Sequence, residues 1–172
     1  MKHVSIKSIE KAIAKIDNLS EDKLEEVAES YAIAQKTLLG YIMSAATEYN
    51  NSKLEGLLIY YYCLISEAFS QEKIPLKEIC ENDIDSFEEP FFKILDEYFE
   101  KNNEDIINNF VDQPELTKFM MIEISTQDDD GTSLDDETAT QLFIVTIAMI
   151  TLMIKQSKIE GTKRNNYDDV ES

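Results

Sequence analysis

The stretch TATQLFIVTIAMITLMI, residues 138–154, holds no charged side chain in a protein of 172 residues whose formal net charge is −19. Within 142–154 only Thr146 and Thr151 interrupt the apolar run. A membrane-spanning helix needs about 20 mostly apolar residues. Thirteen, here, fit a helix buried in a protein core better than a span, although Lys155 and Lys158 follow as they would follow a tail anchor. A second stretch, LEGLLIYYYCLISEAF at 54–69, carries Leu54, Leu57, Leu58, Tyr61, Leu64, Ile65 and Phe69 at helical spacing, and through 59–65 it is apolar on more than one side. Helices that are apolar all round sit inside a bundle. The two stretches predict an all-α, single-domain bundle of about six or seven helices, with 53–70 and 134–160 as its two buried central helices.

The remaining chain supplies the surrounding helices. Ile6, Ile9, Ile13 and Ile16 recur every three or four residues and predict a first helix over 5–17. Ser20 with Glu21 and Asp22 reads as a helix start. From there the stripe Leu24, Val27, Tyr31, Ala34, Leu38, Tyr41, Ala45 and Tyr49 predicts one long helix over 21–49. Pro75, Pro90 and Pro114 each precede an apolar-periodic segment, and proline is tolerated in a first helical turn. They predict a short helix over 76–80, a helix beginning at Pro90, and a helix beginning at Pro114. A polar helix or turn is expected at 103–111. Gly161 suits the end of the last helix, giving a helical domain over 1–161 and a solvated tail over 162–172.

Gly and Pro number only 4 and 3, which disfavours a turn-rich β architecture. The cysteines, Cys63 and Cys80, form no Cys-x-x-Cys pair and have no histidine nearby, so neither a zinc nor a redox motif is present. Cys63 reads as a small buried hydrophobe. A cytoplasmic location follows as an expectation, since no secretory signal pattern opens the chain.

Charge is unevenly placed. Residues 71–137 hold 21 acidic and 5 basic side chains, −16 of the total, while residues 1–20 carry +2. Affinity for nucleic acid depends on Lys and Arg meeting phosphates. This composition excludes that partner and favours cationic ones, basic protein surfaces or metal ions.

Two acidic clusters stand out. Glu81, Asp83, Asp85, Glu88 and Glu89 lie just before Pro90. Asp128, Asp129 and Asp130 open the run DDDGTSLDDE at 128–137. This run resembles an EF-hand calcium loop: with Gly131 at the sixth position, Asp128, Asp130 and Glu137 take positions three, five and twelve. Thr126 stands at position one in place of an aspartate. Asp128-Asp129-Asp130-Gly131-Thr132 also resembles the Asp-x-Asp-Gly-Thr motif of haloacid-dehalogenase-like phosphatases. That motif closes a strand of an α/β domain, whereas here no βα alternation precedes it and 40 residues follow Thr132. The simplest reading of the run is an acidic turn that starts the last helix, with Ser133 or Asp135 as N-cap and Asp136 and Glu137 in the first turn. The consecutive Tyr60, Tyr61 and Tyr62 point about 100° apart on a helix. Either one reaches a surface, where tyrosine beside acid makes a recognition site, or all three are buried with paired hydroxyls.

The inventory for catalysis is thin. There is one histidine, His3, and one arginine, Arg164. Acid–base catalysis uses histidine most often, and arginine commonly clamps phosphates and carboxylates. No Gly-rich phosphate loop is present, and no cofactor is expected. The expectation is therefore not an enzyme but an acidic module that binds and occludes a basic protein partner, in the manner of an immunity protein or a nucleic-acid mimic. Its face would comprise Glu81, Asp83, Asp85, Glu88, Glu89, Asp128, Asp129 and Asp130. The alternatives are a calcium module using Asp128, Asp130 and Glu137 within the 126–137 loop, and a structural or oligomeric helical protein without a specific ligand.

Overall fold

The computed structural model describes residues 2–127, 131–155 and 157. These form eight α-helices: α1 Ile6–Asp17, α2 Glu21–Ala34, α3 Lys36–Glu48, α4 Lys53–Gln71, α5 Glu81–Lys101, α6 Glu104–Val111, α7 Pro114–Ser125 and α8 Asp136–Lys155. The longest buried runs lie in α4, where every residue from Tyr61 to Phe69 is buried, and in α8, which is buried from Val145 to Ile154. Helix α4 packs on α1, α2, α3 and α8, and α8 packs on α3, α4, α5, α6 and α7. The uncharged stretch that passes the length test for a membrane span is thus mostly enclosed by protein, with 78% of its most apolar window buried. The tyrosine triplet resolves as three inward or lateral anchors. The Tyr60 hydroxyl donates to Asp17 on α1 at 3.0 Å, that of Tyr61 to Glu123 on α7 at 3.1 Å, and that of Tyr62 to the Tyr31 carbonyl on α2 at 2.7 Å.

The eight described helices exceed the expectation of six or seven, and their boundaries depart from it at three places, each for a physical reason. The stripe over 21–49 is not one helix; it breaks at Gln35, whose backbone sits at φ −138°, ψ 56°. The Gln35 side chain, buried in the break, accepts from the Ile79 N–H at 2.9 Å and donates to the Lys77 carbonyl at 2.9 Å. Burying both ends of one amide in this way requires the chain to kink. That same clamp holds 77–79 extended, so the short helix expected after Pro75 does not form, and Leu76 makes an isolated antiparallel bridge with Ser157 instead. The burial register shifts with the kink: beyond it Leu38, Ile42 and Ala46 are buried, and Tyr49 is exposed.

The third correction is Pro90, which lies inside α5 instead of starting it. Asp83 starts the helix earlier, accepting from the Cys80 backbone N–H at 2.9 Å. Proline removes the hydrogen bond to the carbonyl four residues back. Here both Pro90 and Ser86 are exposed, so water can reach the freed carbonyl. Pro114, by contrast, does begin α7. Gln113 before it repeats the Gln35 device: at φ −137°, ψ 75°, it accepts from the Val4 N–H at 2.8 Å and donates to the Lys2 carbonyl at 2.9 Å.

One charge lies within the core. Glu67 is 1% exposed and receives Lys15 at 2.7 Å, the Tyr31 hydroxyl and the Gln71 amide at 3.0 Å. Burial pushes its carboxyl up, but the hydrogen bonds from Lys15, Tyr31 and Gln71 more than offset this and the net direction is down. Cys63 beside it is buried, and burial raises its thiol to about 11.

Two predictions follow from these contacts. Lys73 adopts φ 60° after α4, and the Lys73 and Ile74 N–H groups bond back to Ser70 at 3.0 Å and Phe69 at 3.0 Å. This is a left-handed helix stop that favours glycine, so Lys73→Gly should raise unfolding free energy by about 1 kcal/mol in urea denaturation. Lys15→Met leaves a buried carboxylate without its cation and should cost about 2–3 kcal/mol in the same assay. Glu67→Gln, which retains an acceptor, should cost less.

Candidate functional site: an acid-rimmed furrow between α3 and α5

The furrow begins with spacing. On α5 the residues Ile84, Phe87, Phe91 and Leu95 are buried. Glu81, Asp85, Glu88, Phe92, Asp96 and Phe99 recur every three or four residues and therefore share an adjacent side of the helix. That side points past the core, leaving Phe92 50% exposed and Phe99 52% exposed among carboxylates.

Opposite runs α3. Lys36, Thr37, Gly40 and Tyr41 line a depression with Glu81, Ile84, Asp85 and Glu88. Next along, Tyr41, Ser44, Ala45, Glu48 and Tyr49 line a second with Glu88, Phe91 and Phe92, over a floor of Ile144, Val145 and Ala148 from α8; its volume is about 260 Å³. A third, beyond Tyr49, is lined by Asn50, Asn51, Lys53, Asp135, Glu137 and Thr138. The first two share Tyr41 and Glu88 and the last two share Tyr49, so they adjoin in series along α3, and this series of depressions is the furrow. The low numbers of α3 face the low numbers of α5, which makes the two helices parallel. Both pack on α8. The furrow stays open because α3 presents Gly40, Ser44 and Ala45 toward it, and a Cβ at Gly40 would have no atom within 4 Å.

Electrostatics follow from the same placement. Tyr41 is raised to about 12, first by burial and then by the nearby carboxylates of Glu88 and Glu48. Tyr49 is raised by burial and by Glu48. Among the described residues Glu48, Glu81, Asp85, Glu88 and Asp96 make no ion pair. The lysines of α5 serve its other flank, Lys93 pairing with Glu89 at 3.4 Å and Lys101 with Glu97 at 3.0 Å. Lys155, an exposed residue, lies over the Phe110 ring at 4.6 Å, and partial burial lowers its ammonium.

Of the acidic residues expected on a common face, the structure brings together Glu81, Asp85 and Glu88. Asp83 instead caps α5, and the hydrogen bonds from Cys80 hold its carboxyl below the usual range. Glu89 lies on the flank with Lys93. Asp128, Asp129 and Asp130 lie outside the described residues, as does the ligand set of the calcium reading except Glu137 and Thr126. Glu137 sits in the first turn of α8 and accepts from the Gln141 amide at 3.3 Å, while the Thr126 hydroxyl donates to the Ile122 carbonyl at 2.6 Å. Among the described residues no three His, Cys, Asp or Glu side chains converge as metal ligands. The N-cap of α8 is Asp135, which accepts from the Thr138 N–H at 2.8 Å and pairs with Lys53 at 3.0 Å. Sequence reasoning missed Glu48, Tyr41, Tyr49 and Phe92. The α5 stripe was detectable as a second period beside the apolar one, whereas the α3 rim needed the kink at Gln35.

No protein-family model, curated protein or solved structure matches this chain. The furrow is defined only by its chemistry, an acidic and partly aromatic surface on a helical frame.

Hydrogen bonds from Thr138 and then Lys53 lower the Asp135 carboxyl from 3.8 to about 2. The folded state thus binds this proton less readily than the unfolded chain. The stabilisation is complete above the unfolded value and disappears as pH falls toward about 2. Glu72, held down chiefly by Ser8, acts in the same sense. Melting temperature should therefore fall between pH 5 and pH 2, and Asp135→Asn, which keeps the cap, should flatten part of that decline; about these pH bounds thermal scans decide.

Proposed function

We propose that this protein is a binding module that covers a basic surface of a protein partner and acts by occlusion, as immunity proteins and nucleic-acid mimics do. The observation that carries the reading is the row of carboxylates Glu81, Asp85, Glu88 and Glu48 along the furrow, none of which forms an ion pair among the described residues although Lys36 lines the end at Glu81. Fixed like charges raise the local potential and steer a cationic partner into contact, giving fast association that weakens with salt. The acid is not confined to the furrow, since α2 exposes Glu21, Asp22, Glu25, Glu26 and Glu29. What distinguishes the furrow is carboxylate beside exposed aromatic surface, the combination found at interface anchors. Catalysis is not part of this proposal. The residues of the furrow contain neither a nucleophile–base pair nor a histidine. The described histidine, His3, lies instead 3.1 Å from Asp112, which follows α6.

Biolayer interferometry against a panel of basic nucleases and nucleic-acid-binding proteins tests the proposal. The expected outcome is binding at low ionic strength whose association rate drops steeply between about 50 and 200 mM salt, because the screening length shortens over that range. Charge reversal of Asp85 and Glu88 to lysine should slow association, with dissociation less affected. Absence of any cationic partner at low salt refutes it.

A further inference from the structure

The middle of the furrow is not a charge cluster alone. It is an apolar slot, floored by Val145 and Ala148, walled by Tyr41 and Phe92, with Glu48 and Glu88 at its rims. Val145 and Ala148 are 6% and 3% exposed and so form a firm floor, whereas Phe92 is half exposed. Leaving a phenylalanine half in water on a helix whose other phenylalanines, Phe87 and Phe91, are buried costs burial energy that the fold does not recover. From Lys36 to Glu48 the furrow runs along the 13 residues of α3, about 20 Å at the helical rise, which is nearly four helical turns.

Building on the proposed function, we infer that the ligand element is an amphipathic, basic α-helix of a partner protein. Two parallel helices over a third form a trough, and a helix laid into such a trough buries one apolar stripe while its flanks meet the rims. Apolar side chains one turn apart fill the slot between Tyr41 and Phe92. Lysine or arginine on the flanks meets Glu48 on one rim and Glu88 and Asp85 on the other. The far end of the trough, at Glu81, faces Lys36 on α3, so the cationic residues of the ligand are favoured toward the Tyr49 end and the middle. An extended basic segment would satisfy the carboxylates but would leave the slot partly unfilled, and a polar surface patch would leave Phe92 in water. A helix with both features is the occupant that the charge and the apolar slot jointly specify.

The test uses the full chain and two synthetic peptides of identical composition, 15 residues of leucine and lysine about the length of the furrow. One places leucine at i, i+3, i+4 and i+7, and the other is scrambled. Fluorescence anisotropy measures binding at two salt concentrations, and circular dichroism follows peptide helicity. The patterned peptide should bind at least tenfold more tightly than the scrambled one and gain helicity on binding. Phe92→Ala and the slot-filling Ala45→Trp should each weaken it roughly tenfold, as loss of an interface anchor does. Glu25→Lys on α2, a charge change outside the furrow, should leave the patterned preference intact. Both variants are checked for native helicity, and Phe92→Ala, at a half-exposed position, is the one that keeps the test decisive if Ala45→Trp unfolds. Equal binding of both peptides, insensitive to Phe92, overturns the helix-in-trough inference while leaving the acidic occlusion reading standing. Binding of neither peptide at low salt overturns the helix-in-trough inference, and the occlusion reading falls with it only when the panel of basic proteins is silent as well.

Discussion

Nine consecutive residues of α4, from Tyr61 to Phe69, are buried, and ten consecutive residues of α8. A helix with no polar side cannot stop at one contact face, and this requirement organises the molecule. Surface must be supplied around two such rods, and the six other helices supply it. The chain's acid is then forced outward, onto those six and onto the exposed first turns of the rods at Glu55, Asp136 and Glu137, because the buried runs have no room for it apart from Glu67. That one exception is tolerated because Lys15, Tyr31 and Gln71 converge on it, and it ties α1 and α2 to the middle of α4.

The connections between helices repeat one device. Gln35 and Gln113 both sit at chain breaks with nearly the same backbone angles, and each offers its amide to a backbone carbonyl and N–H of an extended strand segment elsewhere. A single side chain thereby does the work of a β-partner for one residue pair. The extended segments at 2–4 and 77–79 are thus held to the bundle without forming a sheet. The Gln35 device also sets the furrow, since kinking the chain there brings α3 alongside α5 and turns Tyr41 and Glu48 toward it.

The all-helical character was legible because periodicity and scarce glycine act locally and point the same way. The helix ends at Asp17, Gln71 and Val111 lay close to expectation for that reason. What failed was long-range. A glutamine in an apolar stripe reads as a tolerated polar residue until the partner at Lys77 and Ile79 is known. Pro90 reads as a start until Asp83 is seen to cap the helix seven residues earlier. The site was half legible. Charge located α5, but counting acids could not separate Glu81, Asp85 and Glu88 from Asp83, which the backbone occupies, or from Glu89, which Lys93 occupies. The exposure of Phe92 was invisible because an apolar residue in a helix carries no mark of its side.

The rims of the furrow rest on α8 without being part of the buried rods. Side chains at Glu48, Asp85, Glu88 and Phe92 can therefore be exchanged with little consequence for folding, while Val145 and Ala148 beneath them cannot. Selection acting on such a molecule can retune what it recognises through a handful of outward positions, leaving the scaffold untouched. Close relatives would then be expected to differ most where they meet their targets and least underneath, the reverse of the pattern left by a conserved reaction centre.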